Sequence, residues 1–316
     1  MKNLMRNLFL LICAIVALPV LGQEAASIQK TRKLILRDEG LSKLSYVDLA
    51  DPKKNWFVPV PAGRDLQLVG NGRVLIGTGT GYEEREITTG NKVKELTTFN
   101  GTIAARRLRN GNTLLVGLNW QDKQGIVLVE LDASGNIQRL TNYPEFGYVR
   151  LVRPTPAGTF LVTSDTVVFE GDASGKIIWR AKIVSEKRPH TWQAVRLASG
   201  ETLVSTGYGG NFQVFAKDGS LVRKFSGPAE VNPDFYAGFQ ILKNGNYVVA
   251  NWQGHGPSHG ASGTQVLEYS PAGELVWSWK QDPAKYSSIQ GVIVLDGLNL
   301  KKLHVEDEQG KLVPVK

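Results

Sequence analysis

Histidine is the side chain of this protein best suited to chemistry near neutral pH, and the chain has only four histidines. His255 and His259 lie four residues apart, a spacing that would place two metal ligands on one face of a helix. Their segment is too rich in Gly and Pro to form a regular helix. Three interpretations therefore stay open: a metal pair held by a loop, a general acid or base, or a polar loop facing solvent. We predict no resident cofactor, with a divalent metal at these two histidines as the alternative.

His190 follows Arg188 by two residues at the start of a predicted strand. A guanidinium beside an imidazole can neutralise an anionic substrate while the imidazole transfers a proton or attacks as a nucleophile. A histidine that is only hydrogen-bonded at a junction between sheets is the alternative interpretation. The candidate catalytic residues are therefore His190, His255, His259 and Arg188.

Two Asn-Trp pairs mark the candidate ligand-binding residues. An exposed Trp can stack on a sugar or an aromatic ring, and Asn offers paired hydrogen bonds. Packing of these Trp rings between sheets is the alternative. With the polar and aromatic residues of neighbouring connections, the predicted binding set is Asn119, Trp120, Asn251, Trp252, Tyr208, Tyr236 and Gln290.

Residues 1–22 are predicted to be a signal peptide. Lys2 and Arg6 precede an apolar run over residues 8–20, which is too short to span a bilayer. Cleavage is expected before Gln23. We therefore predict an exported protein, periplasmic or secreted, with no membrane span after cleavage.

The chain left after cleavage, residues 23–316, is predicted to be one domain without sulfur, since the leader holds the only Cys and both Met residues. Disulfides and thiol catalysis are then excluded. Removal of two basic residues lowers the net charge from +8 to +6, which suits an anionic glycan or small molecule, or an envelope protein partner. No nucleic-acid-binding motif is present, so no nucleic acid partner is expected.

A repeat of about 45 residues is the most informative pattern of the chain. Each unit has two apolar runs joined by a tight turn, and a hairpin with an Asn-Gly, Asp-Gly or Ser-Gly turn follows the first five. The turn glycines are Gly72, Gly111, Gly158, Gly200, Gly245 and Gly297. Four strands per unit, here called A to D from the inside outward, are typical of a β-propeller blade. The predicted class is therefore all-β.

The two ends of the chain predict how the ring closes. Residues 32–36 match the B strand of the next unit, so the first unit lacks an A strand, whereas residues 288–295 form an A strand without its own blade. Pairing the two leaves no open edge. The prediction is six blades, with residues 298–316 as an extra hairpin or edge strand. If that segment completes a blade of its own, the count is seven.

The connections of a propeller lie on two opposite faces. The A–B and C–D turns of this chain are short, whereas the D–A and B–C connections are longer and carry all the candidate residues named above. Binding residues accumulate on such loops. We therefore expect the candidates to gather on the face formed by the D–A and B–C connections.

Two segments, DASGKIIW at residues 172–179 and PAGELVW at residues 271–277, resemble the repeat of secreted bacterial quinoprotein-like propellers. The resemblance covers nearly all of the chain after the leader and implies that Trp179, Trp277 and Trp56 pack between blades. Quinone-dependent enzymes of this fold are longer and use a calcium site and often vicinal cysteines. The resemblance therefore does not extend to pyrroloquinoline quinone.

The Asn-Gly-Asn turns are similar to those of bacterial arylsulfotransferase-like propellers. In that family a central histidine accepts the sulfuryl group, with further His and Arg on the same face. The resemblance implies that His190 beside Arg188 would take this role.

Two function classes follow. In the first, the protein is a propeller that binds a glycan or a small aromatic or anionic molecule. In the second, it is a lyase, hydrolase or sulfuryl transferase that uses histidine chemistry on a polysaccharide or a sulfated or aromatic substrate. The sequence contains no complete catalytic motif that would decide between them.

Overall fold

The structure is a computed structural model that describes residues 31–316, and the leader predicted over residues 1–22 lies outside the described residues. Six four-stranded antiparallel sheets form a six-bladed β-propeller, as predicted. Helix is confined to two short turns, Pro52–Lys54 and Ala229–Val231, within this part of the chain. No helix of the described residues is long and apolar enough to cross a membrane.

Blade 1 closes the ring in the predicted way. It contains β1 (Lys33–Asp38), β2 (Lys43–Asp48) and β3 (Trp56–Pro59), and its innermost strand is β24 (Ile289–Val294) from the far end of the chain. Strand β24 pairs antiparallel with β1, so the N- and C-terminal parts of the ring share one sheet. Hydrogen bonds between them therefore fasten the circle and remove the open edge.

The other five blades follow in chain order. Blade 2 has β4 (Leu66–Gly70), β5 (Arg73–Thr78), β6 (Gly81–Glu86) and β7 (Lys92–Leu96). Blade 3 has β8 (Ala104–Arg107), β9 (Thr113–Leu118), β10 (Ile126–Leu131) and β11 (Ile137–Tyr143). Blade 4 has β12 (Val152–Pro154), β13 (Phe160–Ser164), β14 (Val167–Gly171) and β15 (Ile177–Lys182). Blade 5 has β16 (Gln193–Arg196), β17 (Thr202–Ser205), β18 (Phe212–Phe215) and β19 (Leu221–Phe225). Blade 6 has β20 (Phe235–Ile241), β21 (Tyr247–Trp252), β22 (Val266–Tyr269) and β23 (Leu275–Trp279).

The hydrophobic core lies between neighbouring blades. Second and third strands such as β10 and β21 are buried on both faces and consist largely of continuous apolar runs, although β6 of blade 2 is mostly charged. Outer strands such as β23 alternate between partly buried and exposed positions. Tryptophans of the outer strands pack toward the next blade: Trp56 donates its Nε1–H to the carbonyl of Ile87 at 2.9 Å. The Trp179 ring lies 4.7 Å from the guanidinium carbon of Arg196.

Glutamines on the inner strands bind neighbouring blades together. Gln240 of β20 donates to the carbonyl of Val294 at 3.2 Å and accepts from its N–H at 2.8 Å. Gln193 makes the same pair of bonds with Phe239 at 2.9 and 3.1 Å. Because these amides are buried, each pair fixes the spacing between two inner strands.

The C-terminal segment is a hairpin, β25 (His304–Glu306) and β26 (Leu312–Pro314), that adds no seventh blade. It contacts blade 2 through a bridge between Val69 and Leu303 and blade 6 through a bridge between Ile241 and Lys311. These contacts lie on the side of the A–B turns. The hairpin therefore covers that end of the axial channel and leaves the opposite end as the open mouth.

Candidate functional site

A pocket of about 290 Å³ lies at the mouth of the axial channel. We call it the mouth pocket. Its lining comes from D–A connections, which supply Arg64, Thr102, Arg150 and Trp192, and from B–C connections, which supply Glu39, Gly79, Tyr208 and His255. The two sets of connections therefore meet at one face.

Aromatic side chains of blades 5 and 6 form a continuous wall of this pocket. The ring of Phe235 lies 5.4 Å from Trp192, 4.7 Å from Tyr208 and 5.2 Å from Trp252, each in an edge-on arrangement. Trp252 is in turn 4.6 Å from the ring of His255. Edge-to-face packing holds each ring in place, so the wall is a preformed surface for an apolar or ring-shaped ligand.

His255 forms a hydrogen-bonded pair with Glu39 at the rim of the pocket. Its Nδ1 lies 2.9 Å from one carboxylate oxygen of Glu39, and the other oxygen accepts the Nε1–H of Trp252 at 3.0 Å. A carboxylate that accepts from Nδ1–H orients the imidazole and leaves Nε2 able to accept a proton. The arrangement therefore suits acid–base chemistry on a molecule in the pocket.

His259 lies outside this pair, with its Nε2 3.0 Å from the carbonyl oxygen of His255. Within residues 31–316 no group of three His, Cys, Asp or Glu side chains is arranged to hold a metal ion.

His190 and Arg188 meet at Asp165, next to the mouth pocket. Arg188 Nη2 lies 2.7 Å from Asp165, and His190 Nδ1 lies 3.2 Å from the other oxygen of that carboxylate. The His190 ring lies between Tyr148 and Tyr208, at 5.2 and 5.8 Å. Burial outweighs the attraction of Asp165 and lowers the pKa of His190 below its usual value. The imidazole is therefore mostly neutral at pH 7 and lies behind the aromatic wall, outside the pocket lining.

The predicted ligand-binding residues divide into two groups. Trp252, Tyr208 and Gln290 line the mouth pocket, and Gln290 also donates to the carbonyl of Gly63 at 2.9 Å. The remaining four residues, Asn119, Trp120, Asn251 and Tyr236, are not part of its lining.

Trp120 and Asn119 lie away from the pocket. Trp120 donates to the carbonyl of Asn100 at 3.0 Å and packs against residues of blades 2 and 3. Asn251 is buried and its amide donates to three backbone carbonyls, those of Val231, Asn232 and Thr264.

Tyr236 is fully buried and shares a hydrogen bond with the hydroxyl of Tyr269. Burial raises its pKa. Tyr236, like Asn251, therefore stabilises the blade and has no surface to offer a ligand.

Several residues of the pocket carry no distinctive sequence signal. Arg64 and Arg150 occupy D–A connections just before inner strands, and their guanidinium carbons lie 5.8 and 5.2 Å from the centre of the Trp192 ring. Burial and, secondly, the nearby Arg150 lower the pKa of Arg64 from 12.5 to about 10. Comparing the last residues of successive D–A connections would have drawn attention to these arginines, because the position two residues before the inner strand lines the pocket in blades 2, 3 and 4.

Comparisons with known proteins support the fold. No protein-family model matches the chain, and no curated protein matches it in sequence. A protein of unknown function from Bacteroides caccae is similar in structure, with a TM-score of 0.65 and 19% identity over 84% of this chain and 98% of its own. A streptogramin B lyase has a TM-score of 0.56 and 12% identity, covering 89% and 90% of the two chains.

The calcium-binding protein regucalcin from Agrobacterium tumefaciens has a TM-score of 0.50 and 14% identity, covering 79% of this chain and 84% of its own. Identities this low show a shared propeller fold and carry no information about activity. The propeller architecture that the quinoprotein-like and arylsulfotransferase-like resemblances imply is confirmed, and no family match supports either resemblance beyond the fold.

Proposed function

We propose that this protein is an exported propeller that binds a small organic ligand in the mouth pocket. The aromatic wall formed by Trp192, Phe235, Tyr208 and Trp252 is the observation that carries the proposal. Export is supported by the leader-like residues 1–22.

The size of the pocket limits the ligand. A volume of about 290 Å³ is at the lower end of small-molecule sites, which begin at roughly 300 Å³. One or two rings fit, so a glycan would place a single terminal unit in the pocket and leave the rest in solvent. Tyr208 is the partly exposed ring of the wall and would contact the sugar or aromatic body, while the buried rings of Trp192, Phe235 and Trp252 support it.

The test uses 4-nitrophenyl glycosides as probes and isothermal titration calorimetry as the measurement. Tyr208→Ala removes part of the wall and is expected to weaken binding about tenfold, which corresponds to about 1.4 kcal/mol. Trp120→Ala is the matched control, because this ring is also partly exposed but lies outside the pocket. Equal loss in both variants, or binding unchanged by Tyr208→Ala, would contradict the proposal.

An enzyme that uses His255 is the second candidate, and the His255–Glu39 pair at 2.9 Å favours it. His255 would act as the base or acid of a lyase or hydrolase, with the ligand held by the same wall. The similar streptogramin B lyase makes an eliminating reaction worth testing first. His255→Ala should then abolish turnover and leave binding intact, whereas Tyr208→Ala should weaken both.

Sulfuryl transfer through His190 and Arg188 is the other enzymatic version. Loss of 4-nitrophenyl sulfate turnover in His190→Ala, with turnover kept in His255→Ala, would support this version. Full turnover in a His190→Ala/His255→Ala double variant would exclude both histidines as catalytic residues. Metal analysis of the purified protein and of His255→Ala and His259→Ala tests the divalent metal proposed for this pair.

A further inference from the structure

A buried arginine with unused N–H groups lies at the base of the mouth pocket. Arg37, near the end of β1, is only 2% exposed. It pairs across the sheet with Gly291 of the innermost strand, and it lines the mouth pocket. Its Nη2 donates to the carbonyl of Pro61, but Nε and Nη1 have no hydrogen-bond partner among the described residues.

This arrangement is unfavourable unless something else accepts those hydrogen bonds. Buried polar groups in proteins are nearly always paired, and an unpaired buried charge is strongly destabilising. Burial lowers the pKa of Arg37 from 12.5 to about 10, although Glu83 and Glu39 attract its charge. An external acceptor is therefore expected at this point.

Two more arginines face the same pocket above Arg37. Arg64 and Arg150 both lie against the Trp192 ring, and the Nε of Arg150 also lacks a partner among the described residues. The carboxylate that lines the pocket is Glu39, and it is occupied by His255 and Trp252. Three guanidinium groups therefore face one lining carboxylate, and although Glu83 and Glu39 attract the charge of Arg37, neither accepts a hydrogen bond from its free N–H groups.

The opposite end of the channel is different. There Arg153 binds the carboxylate of Asp65 at 2.9 and 3.0 Å, and Arg106 binds the carboxylate of Glu306 from the C-terminal hairpin at 2.5 and 2.6 Å. The protein supplies its own acid groups to these two arginines. Arg37 lines the same channel, but no acid group among the described residues accepts from its Nε and Nη1.

We propose that the ligand of the mouth pocket is an organic acid whose anionic group is bound by Arg37, Arg64 and Arg150. The inference rests on the proposed function, since the aromatic wall holds the body of the same molecule. Guanidinium groups donate charge-assisted hydrogen bonds to oxyanions, which are about twice as strong as neutral ones. Carboxylate, sulfate and phosphate esters share this chemistry.

The experiment compares 4-nitrophenyl β-D-glucuronide with 4-nitrophenyl β-D-glucoside, which differ only in a carboxylate in place of a hydroxymethyl group. We expect the glucuronide to bind at least about tenfold more tightly in calorimetry, and its advantage to shrink as salt is raised. Two further probes, 4-nitrophenyl sulfate and 4-nitrophenyl phosphate, identify which acid is preferred. Preference for any of the three acids over the glucoside supports the proposal.

Variants test the assignment of the arginines. The quantity compared is the affinity for the glucuronide divided by the affinity for the glucoside. Arg37→Gln and Arg64→Gln should each reduce this ratio toward one. Arg109 is exposed in the A–B turn of blade 3, on the opposite face, so the control variant Arg109→Gln should retain the wild-type ratio. Arg64 is only partly buried, so Arg64→Gln provides the test if Arg37→Gln fails to fold. A wild-type ratio near one, or a ratio unchanged in Arg64→Gln, would overturn the inference and leave the proposed function standing. Absence of binding by all four probes would reject the proposed function itself.

Discussion

Replacement of Glu306 by glutamine is expected to weaken the attachment of the C-terminal hairpin to the ring. The Glu306 side chain is 10% exposed. Its two oxygens lie 2.5 and 2.6 Å from Arg106 Nη2, and one of them is 3.2 Å from Arg153 Nε. Glutamine keeps the size of the side chain and removes its charge, so two buried arginines would share the single carboxylate of Asp65.

The magnitude follows from the burial of the cluster. Removing one partner of a buried ion pair costs about 3–5 kcal/mol. Asp65 stays in contact with Arg106 at 3.3 Å and Arg153 at 2.9 Å, so we expect a loss near the lower end, about 3 kcal/mol. The loss cannot exceed the free energy with which the hairpin binds the ring, because beyond that point the hairpin detaches.

The pH dependence identifies charge as the cause. Burial alone would raise the pKa of Glu306, but Arg106 and Arg153 together outweigh it and hold this pKa below the ordinary value of 4.5. A carboxylate whose pKa is lower in the folded state stabilises the fold above its unfolded pKa and loses that contribution as the pH falls through the folded pKa. The stability difference between the wild type and Glu306→Gln should therefore be full at pH 7 and shrink below about pH 4.

Denaturant unfolding at pH 7 and pH 3.5 measures the difference, and hydrogen exchange over residues 298–316 shows whether the hairpin itself is released. Glu308→Gln is the control, because Glu308 lies exposed on the same hairpin. If Glu306→Gln and the wild type unfold at the same denaturant concentration at pH 7, the reasoning is refuted. A difference of constant size at both pH values refutes it as well.

Three other changes test the fold and the shape of the pocket. Truncation after Gly297 removes the hairpin and keeps all blade strands, so we expect a β-rich circular dichroism spectrum with a lower unfolding midpoint; complete loss of structure would show that the ring needs the hairpin. Gln240→Leu removes two buried hydrogen bonds to Val294 and should lower the free energy of unfolding by about 1–3 kcal/mol, whereas no change in denaturant unfolding would argue against the blade contact. Gly207 has φ 61°, and a Cβ there would lie 2.1 Å from the carbonyl oxygen of Pro189. Gly207→Ala should therefore move the Tyr208 loop and weaken glycoside binding in calorimetry. Unaltered affinity would count against a role for that loop.

The blades could be predicted from sequence because their signals are local. Alternation of apolar residues and glycine-containing turns defines each hairpin within a dozen residues. Ring closure was also predictable, because the first unit lacks an A strand and the last A strand lacks a unit of its own. The structure pairs them, with β24 beside β1. The prediction of six blades was correct, but seven stayed open as an alternative because residues 298–316 form a short hairpin whose partners, Val69 and Ile241, are distant in sequence.

Trp120 and Trp252 show why the site was harder to predict. They follow similar strands and equivalent asparagines, but Trp120 donates to Asn100 and packs between blades, whereas Trp252 donates to Glu39 and lines the pocket. The neighbouring blade decides which way each ring turns. Its loops differ from blade to blade, so the repeat pattern contains no information about the outcome.

The sequence by itself determined the all-β class, the six repeated units, the closing pair of strands and the face on which the longer connections lie. Tertiary structure alone decided that Arg37, Arg64 and Arg150 share one pocket and that Glu306 closes the opposite end of the channel. Strand and turn patterns depend on neighbours along the chain. The charge balance of the channel depends on residues from different blades, which only closure of the ring brings together.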